Sequence, residues 1–301
     1  MELSEIESFV TIQRVGGFGR AALLLHVSQP AISRRIDLLE RELGTPLFER
    51  LPGGIRLTEA GQAFLPYARQ VLAALNDGKA AVRGLEEEAV GSITLALVGT
   101  LASTRLTGRL QSFRQAYPRV RLLLRTARSD EVSVLVQQGT ALLGLRYFPD
   151  PGEGLYSVPV MHEPLQVVAA AHSRFVTGEP AEPAELQGVP WIGFPVSAGS
   201  SGEPFARVLA RQLLQSGLEG AEMITIDSLT AQKRLIEADF GVGLLPASSI
   251  EEELRLGTVR ILSIAALQTS VPVVLVHRRQ AYFSRAARSL LEMLTRQTKG
   301  T

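Results

Sequence analysis

Apolar positions follow two different periods along this chain. Before Gly91 they recur at the three- and four-residue spacing of amphipathic helices. Beyond it, short runs that are apolar on both sides alternate with helical stretches, which is typical of parallel strands covered on both faces. The pattern predicts an α+β multidomain chain with a helical N-terminal part and an α/β C-terminal part.

Residues 19–43 have the pattern of two short helices joined by a tight turn. Ser28 is a favourable N-cap for the second helix, and Pro30 stands just inside its start, where a missing N–H costs nothing. The apolar face of this helix is formed by Ile32, Ile36, Leu39 and Leu43. Its outward positions are Gln29, Ser33 and Arg34, flanked by Arg35 and Asp37. Because Gln pairs with adenine and Arg with guanine, the segment indicates a DNA-binding helix-turn-helix, although a plain helical hairpin has the same pattern.

A wing is predicted after the second helix, which Gly44 ends. Strand-like pieces at 46–50 and 55–57 flank a Pro-Gly-Gly turn signal. Arg50 and Arg56 flank the turn, where they can reach phosphates or the minor groove, or else stand as solvated arginines on a surface hairpin. The predicted DNA-binding residues are Ser28, Gln29, Pro30, Ser33, Arg34, Arg35, Arg50 and Arg56.

A long helix is predicted from Thr58 to about Glu88. Its apolar residues alternate steps of four and three, and about 30 helical residues span about 45 Å, more than a small winged domain covers. The stripe therefore predicts pairing with a second copy, the alternative being packing on the chain's own C-terminal domain. The predicted dimerisation residues are Phe64, Ala68, Val71, Leu75 and Val82.

The C-terminal pattern predicts two α/β lobes that meet at a cleft. The predicted strands cover 92–98, 119–126, 141–146, 166–171, 190–194, 222–226, 242–245, 260–262 and 271–277. The predicted helices cover 103–116, 129–138, 203–215, 228–238 and 281–296. Because ligands of such sheets bind beyond the carboxyl ends of the strands, the cleft is the predicted ligand site.

Motifs placed on these elements closely resemble the LysR-type transcriptional regulators. In the N-terminal part the resemblance rests on residues 25–34, 38–40, 43–44, 46–50 and 57–61, and in the C-terminal part on 227–229 and 241–246. The chain departs from the family at Gly19-Arg20, where Ser or Thr is usual, and at Leu142-Leu143, where an acidic residue is often found.

The pattern and the resemblance together give a domain organisation. We predict a winged helix-turn-helix DNA-binding domain over 1–58, a linker and dimerisation helix over 59–89, and an effector-binding domain over 90–301. The resemblance implies that the last domain is like a periplasmic binding protein, with lobe I at about 90–160 and 265–301 and lobe II at about 161–264. It also implies double-stranded DNA and a small-molecule effector as partners, and a tetramer built as a dimer of dimers. RNA polymerase is a further candidate partner.

The resemblance places effector contacts in the loops that follow the strands. The matching residues are Thr100, Ser103, Thr126, Ser129, Phe194, Ser197, Ser200 and Ser201. Any one of these Ser or Thr residues can equally be a helix N-cap. Arg128 and Arg146 are the cationic candidates, from which we predict a carboxylate-bearing effector, with surface ion pairs as the alternative for both.

The composition excludes several classes of site and of protein. The 301 residues carry a formal net charge of +1 and contain no cysteine, which excludes a disulfide scaffold, a thiolate zinc site and a cysteine nucleophile. No apolar run reaches the roughly 18 residues of a membrane span, and the acidic N-terminus is unlike a signal peptide. We therefore expect a cytoplasmic protein without membrane partners, whose DNA affinity depends on where its charges sit.

Catalytic patterns are missing from the sequence. The four histidines are scattered, and neither a Gly-x-Ser-x-Gly elbow nor a phosphate-binding glycine loop is present. We predict no catalytic residues, no metal and no cofactor, and a protein that is not an enzyme. The alternatives are a solute-binding or enzymatic α/β protein with an accessory helical domain, and a DNA-architectural protein without a ligand.

Overall fold

A computed structural model of the chain describes residues 1–51, 54–83, 91–102, 104–152, 154–180, 182–196 and 204–296. The chain divides into two units. The first consists of Met1–Glu88, Gln137–Ala141 and Gln280–Ser284, and the second of Ala89–Val136, Leu142–Arg279 and Arg285–Thr301. Within the described ranges, no helix has the length and apolar character that crossing a membrane requires.

The first unit is built from short helices, one hairpin and one long helix. Its elements are α1 (Leu3–Val15), α2 (Phe18–Leu24), α3 (Gln29–Leu43), β1 (Phe48–Leu51), β2 (Gly54–Leu57) and α4 (Glu59–Arg83). Left-handed glycines end two of the helices, Gly16 after α1 with φ 69° and Gly44 after α3 with φ 72°. The predicted winged helix-turn-helix is confirmed.

Phe9 of α1 lies at the centre of the first core. It is fully buried, and its ring centroid lies 5.3 Å from that of Phe48 and 5.4 Å from that of Phe64. Ile32 and Leu39 of α3 are fully buried in the same cluster. The helix-turn-helix, the wing and the start of α4 therefore share one core, which fixes the orientation of α3.

The predicted apolar face of α3 is confirmed at Ile32, Ile36 and Leu39 but is wrong at Leu43. The Leu43 side chain is 36% exposed. Leu43 is the last residue of α3, and the chain turns away directly after it at Gly44. The buried face therefore ends one turn earlier than the spacing predicts.

The second unit alternates strands and helices. Its strands are β3 (Gly91–Leu97), β4 (Val120–Thr126), β5 (Leu143–Tyr147), β6 (Leu155–Ala170), β7 (Trp191–Gly193), β8 (Met223–Thr225), β9 (Val242–Pro246), β10 (Val259–Leu262) and β11 (Thr269–Arg278). Its helices are α5 (Thr104–Ala116), α6 (Ser129–Gln137), α7 (Pro204–Gln215), α8 (Leu229–Glu237), α9 (Glu251–Leu256) and α10 (Arg285–Thr295).

Two parallel sets of strands form the lobes of this unit. The sheet order is β4-β3-β5-β11-β6-β9-β7-β8, and β10 pairs with β6. Strands β3, β4 and β5 are parallel in the first lobe, and β7, β8 and β9 are parallel in the second. The long antiparallel strands β6 and β11 join them. The predicted two-lobed α/β architecture is confirmed.

Two elements differ from the sequence expectation. β6 begins at Leu155, eleven residues before the strand predicted at 166, and its first half pairs with β11. The prolines and glycines near residue 150 obscure where that strand begins, and Pro159 and Pro164 interrupt its pattern. The short helix α9 was not predicted, because its apolar positions span too few residues to show a helical period.

Gly144 of β5 allows α6 to pack closely on the sheet. A Cβ atom there would lie 2.7 Å from a methyl group of Val132, 2.8 Å from one of Val276 and 2.9 Å from one of Val136. Val132 and Val136 are on α6 and fully buried. The start of α6 is thus held at the carboxyl end of the first-lobe strands, where a ligand is expected.

Candidate functional site

The N-terminus of α3 is capped as the sequence predicts. The Ser28 hydroxyl accepts a hydrogen bond from the backbone N–H of Ala31 at 3.4 Å, and Pro30 lies within the first turn. His26, in the turn between α2 and α3, has a left-handed backbone with φ 54°. This turn sets the angle at which α3 leaves α2.

Polar side chains cover the outward side of the first two turns of α3. Gln29, Pro30 and Arg34 are exposed, and Ser33 is half-buried. A Cβ atom at Gly19 would lie 3.5 Å from the Gln29 amide oxygen, so the start of α2 flanks the same surface. A face carrying an amide, a hydroxyl and a guanidinium is suited to reading base edges in a major groove.

Arg35 does not share that surface. Its guanidinium donates a hydrogen bond to the Ser8 hydroxyl of α1 at 3.3 Å, and its side chain is half-buried. In this conformation Arg35 is therefore turned toward α1, and its contact with DNA stays a prediction. In the structure, residue 35 lies on the side of α3 that faces α1. From the sequence spacing alone, it was placed only at the flank of the outward face.

The wing is attached to α3 by one carboxylate. Glu40 accepts hydrogen bonds from the backbone N–H groups of Leu47 at 2.6 Å and Phe48 at 3.2 Å. Across the hairpin, Arg56 forms an ion pair with its cross-strand neighbour Glu49 at 2.9 Å. Both partners are exposed, so a phosphate can replace Glu49 at small cost. The side chain of Arg50 lies outside the described residues.

The predicted dimerisation residues of α4 divide into two groups. Ala68 is fully buried and Phe64 is half-buried, and both pack in the core of their own chain. Ala68 therefore has no exposed surface to offer a second copy, whereas the dimerisation role of the half-buried Phe64 stays a prediction. Val71 is 42% exposed, Val82 is 69% exposed, and Leu75 is half-buried. The described helix ends at Arg83, so the predicted continuation to residue 88 lies outside the described residues.

Predicted effector residues meet at the carboxyl ends of the first-lobe strands. Thr100 follows β3 and donates its hydroxyl hydrogen to the Tyr147 hydroxyl at the end of β5, 2.9 Å away. Ser129 begins α6 and is 3% exposed, and its hydroxyl has no hydrogen-bond partner among the described residues. Thr126 ends β4 with an exposed side chain. The parallel order of these strands places the four residues along one edge of the sheet.

Arg146 is neutralised inside the first lobe. Its guanidinium lies 2.5 Å from the Asp150 carboxylate and also donates to the Ser133 hydroxyl of α6 at 2.5 Å. Burial lowers the pKa of the Arg146 guanidinium, and the charge of Asp150 opposes that shift. The Arg146 side chain is 10% exposed, and the Asp150 side chain is 9% exposed. In this structure the charge of Arg146 is therefore paired with Asp150, and its contact with an effector stays a prediction.

Arg128 is also paired with carboxylates. Its guanidinium lies 3.4 Å from Asp130 and 3.7 Å from Glu131, and all three side chains are substantially exposed. The backbone N–H of Arg128 donates to Glu131 at 3.1 Å. The surface ion pair, which the sequence left as the alternative for both arginines, is the arrangement that the structure has at Arg128.

The second lobe contributes aromatic side chains. Phe194 follows β7, and Phe205 lies in the first turn of α7, with ring centroids 6.1 Å apart and nearly parallel. Phe205 and Tyr147 were not predicted as site residues, because an aromatic side chain beside a strand end gives no sequence signal that separates a site from a core. Four predicted effector residues lie outside the described residues: Ser103, Ser197, Ser200 and Ser201.

Among the residues described here, no group of three or more His, Asp or Glu side chains is arranged to hold a metal ion. The donor sets of the two candidate surfaces are hydroxyl, amide and guanidinium groups. In the described parts of the two surfaces, no nucleophile lies beside a base. The arrangement is suited to binding DNA at one surface and a small molecule at the other.

Comparison with known families identifies both units. The model for the bacterial regulatory helix-turn-helix protein of the lysR family matches residues 3–62, and the LysR substrate binding domain matches residues 86–299. The chain belongs to the LysR family. This LysR-type chain is 31% identical to the transcriptional regulator TfdS of Cupriavidus pinatubonensis over 285 residues, covering 92% of each protein.

Solved structures agree with the LysR assignment. The full-length regulator CbnR in complex with its target DNA is 26% identical, with a TM-score of 0.68 over 98% of this chain and 99% of that one. OxyR of Pseudomonas aeruginosa has a TM-score of 0.77 at 20% identity over 98% and 94%, which shows the shared fold. The LysR chain is a DNA-binding transcriptional regulator with an effector-binding domain. These relatives favour that function over the alternative of a solute-binding or enzymatic protein with an accessory helical domain.

Proposed function

We propose that this regulator reads a two-fold DNA site by placing the first turns of α3 in the major groove. The observation that carries the proposal is the division of α3 into a buried face, with Ile32 and Leu39 fully buried, and an outward face with Gln29 and Arg34 exposed. The core holds the helix rigidly, so that both outward side chains start from a fixed backbone. Bidentate Arg–guanine and Gln–adenine pairs are each worth about 1–3 kcal/mol of discrimination.

Phosphate contacts come from the edges of the same surface. We assign Ser28 and Pro30 to the backbone contact at the start of α3, with Ser33 beside the base-reading side chains. Arg50 and Arg56 of the wing are the proposed phosphate or minor-groove contacts. For Arg56 the pair with Glu49 supports this role, because both side chains are exposed and the guanidinium exchanges partners at little cost.

Self-association through α4 supplies the two-fold axis. Val71 and Val82 are the exposed members of the predicted seam, and Tyr67, 65% exposed, extends their side of the helix. Eleven residues separate the two valines, which is close to three helical turns, so they lie on one side of α4. We propose that a second copy covers this side and that two such dimers form a tetramer.

The cleft between the lobes is the proposed effector site, with Thr100, Ser129 and Phe194 as described contacts. A carboxylate on the effector would have to compete with Asp150 for Arg146 or with two acids for Arg128. We therefore propose that neutral groups, such as the buried Ser129 hydroxyl, recognise the effector. The two arginines then give no support to the prediction that the effector carries a carboxylate. Contact with RNA polymerase, a cytoplasmic location and the absence of enzymatic activity complete the proposal.

Selection from random duplex DNA tests the DNA-binding proposal without knowledge of the target genes. The full-length protein should enrich a nearly two-fold symmetric motif whose half-sites are separated by whole turns of the DNA helix. A Val71→Glu, Val82→Glu double variant should lose the symmetric motif and sediment as a smaller species. Enrichment of no motif by the wild-type protein would contradict the proposal.

A further inference from the structure

Tyr147 projects from the first lobe and is held there firmly. It ends β5, is fully buried, and its hydroxyl accepts the hydrogen bond from Thr100. The next residue, Phe148, has a left-handed backbone with φ 59°, and its N–H donates to the Pro272 carbonyl oxygen at 2.9 Å. The preceding residue, Arg146, is fixed by Asp150. Tyr147 is therefore a rigid part of the first lobe.

The second lobe covers Tyr147 with a phenylalanine ring. The centroid of Phe205 lies 4.5 Å from that of Tyr147, and the ring planes meet at 75°. Edge-to-face contacts of this kind are favourable beyond the area they bury. Phe205 is 5% exposed, and its ring also stacks with that of Phe194. The two lobes thus contact each other through aromatic rings at the edge where the effector is expected.

We propose that the Tyr147–Phe205 contact is a latch that closes the two lobes on each other when no effector is bound. The regulatory meaning of the latch rests on the proposed effector site. Its described contacts Thr100 and Phe194 are direct neighbours of the two rings, so an effector placed between them would separate Tyr147 from Phe205. Since Tyr147 is fixed on the first lobe, the separation moves Phe205 together with α7. Effector binding is in this way coupled to the relative placement of the lobes.

A cysteine-free chain makes the latch directly measurable. Spin labels on Ser112→Cys, exposed on α5 of the first lobe, and Glu219→Cys, exposed in the second lobe, report the distance between the lobes. Labelled full-length protein is diluted with excess unlabelled protein so that only distances within one chain contribute. Phe205→Ala should raise the open-to-closed ratio at least about five-fold, because the ring contact is lost, and should add a longer distance.

Tyr117→Ala is the matched control. Tyr117 stacks on Phe113 with ring centroids 5.1 Å apart, and both residues belong to the first lobe, so this variant loses an aromatic pair without affecting the latch. Its distance distribution should coincide with that of the wild type. If Phe205→Ala does not fold, Phe205→Leu keeps apolar bulk without a ring and should show the same longer distance at a lower population.

Coinciding distributions for wild type and a folded Phe205 variant would overturn the latch. So would an equal lengthening in Tyr117→Ala, because the effect would then be one of general destabilisation. Measurement of DNA binding on the same samples separates this proposal from the proposed function. A wild-type protein that selects no DNA motif argues against the proposed function, whereas the distance measurement decides the latch in either case.

Discussion

Replacing Gly61 by alanine should loosen the whole DNA-binding unit. Gly61 lies in the first turn of α4, where a Cβ atom would come within 2.2 Å of the Leu47 carbonyl oxygen. That oxygen also accepts the Thr58 N–H at 3.0 Å, and the Thr58 hydroxyl accepts the Gly61 N–H at 3.0 Å. The added methyl group therefore separates α4 from the wing at the point where Thr58 caps the helix.

One favourable and two unfavourable contributions decide how much stability the first unit loses. Alanine is favoured over glycine within a helix by about 1 kcal/mol. Against this, the Leu47 carbonyl must move by about 1 Å, and overpacking of this kind typically costs about 1–3 kcal/mol. Loss of the hydrogen bond from Thr58 adds roughly 1 kcal/mol. We expect a net loss of about 2 kcal/mol for the first unit, since the carbonyl belongs to backbone and cannot yield as a side-chain end can.

Hydrogen exchange of peptides from α1 to α3 measures this loss directly. About 2 kcal/mol corresponds to exchange that is roughly 30-fold faster. Gly78→Ala in the same helix is the control, because a Cβ atom at Gly78 meets nothing within 4 Å. That variant should leave protection unchanged or raised. Unchanged or slower exchange in Gly61→Ala would refute the close packing of α4 on the wing.

Three further variants test the buried ion pair, the cap of α3 and the pH dependence of stability. Asp150→Ala leaves the Arg146 guanidinium buried without its carboxylate and should lower the free energy of unfolding by about 3 kcal/mol. Urea unfolding followed by the fluorescence of the sole tryptophan measures this loss, and an unchanged midpoint would contradict it. Ser28→Ala removes the cap of α3 and should lower the stability of that helix by about 1 kcal/mol. Hydrogen exchange of α3 measures this loss, and protection equal to that of the wild type would contradict it. Glu237→Gln should destabilise at neutral pH, since the hydrogen bond from Thr258 holds the Glu237 pKa below its ordinary 4.5. The difference should vanish as the pH falls through that lowered pKa, and a constant difference would contradict it.

Sequence reasoning succeeded where a local rule had no strong competitor. The cap at Ser28, the end of α3 at Gly44 and the parallel strand sets follow from hydrogen bonding, left-handed glycine and strands that are apolar on both faces. It failed where two faces of a helix fit the same sequence pattern and tertiary packing decides which one is buried. Ala68 fits the heptad seam as well as Val71 does, but the core of the winged domain buries Ala68.

The candidate sites show the same limit. Outward positions of α3 could be read from the helical period, except that Arg35 turns toward Ser8 of α1. The pairing of Arg146 with Asp150 could not be read, because the turn between them is irregular and its geometry depends on β6 and β11. Phe205 gave no signal, since only the arrangement of the two lobes brings it to Tyr147.

The role of α3 in base reading is tested most directly by fluorescence anisotropy with Arg34→Ala. Binding to the selected motif and to scrambled DNA is measured over a salt series for wild type, Arg34→Ala and Arg41→Ala, the last an exposed arginine in the final turn of the same helix. Arg34→Ala should weaken binding to the motif by about 1–3 kcal/mol and leave binding to scrambled DNA nearly unaffected, whereas Arg41→Ala should affect binding to both DNAs alike. An equal loss on both DNAs for Arg34→Ala, or none on either, would contradict base reading by α3.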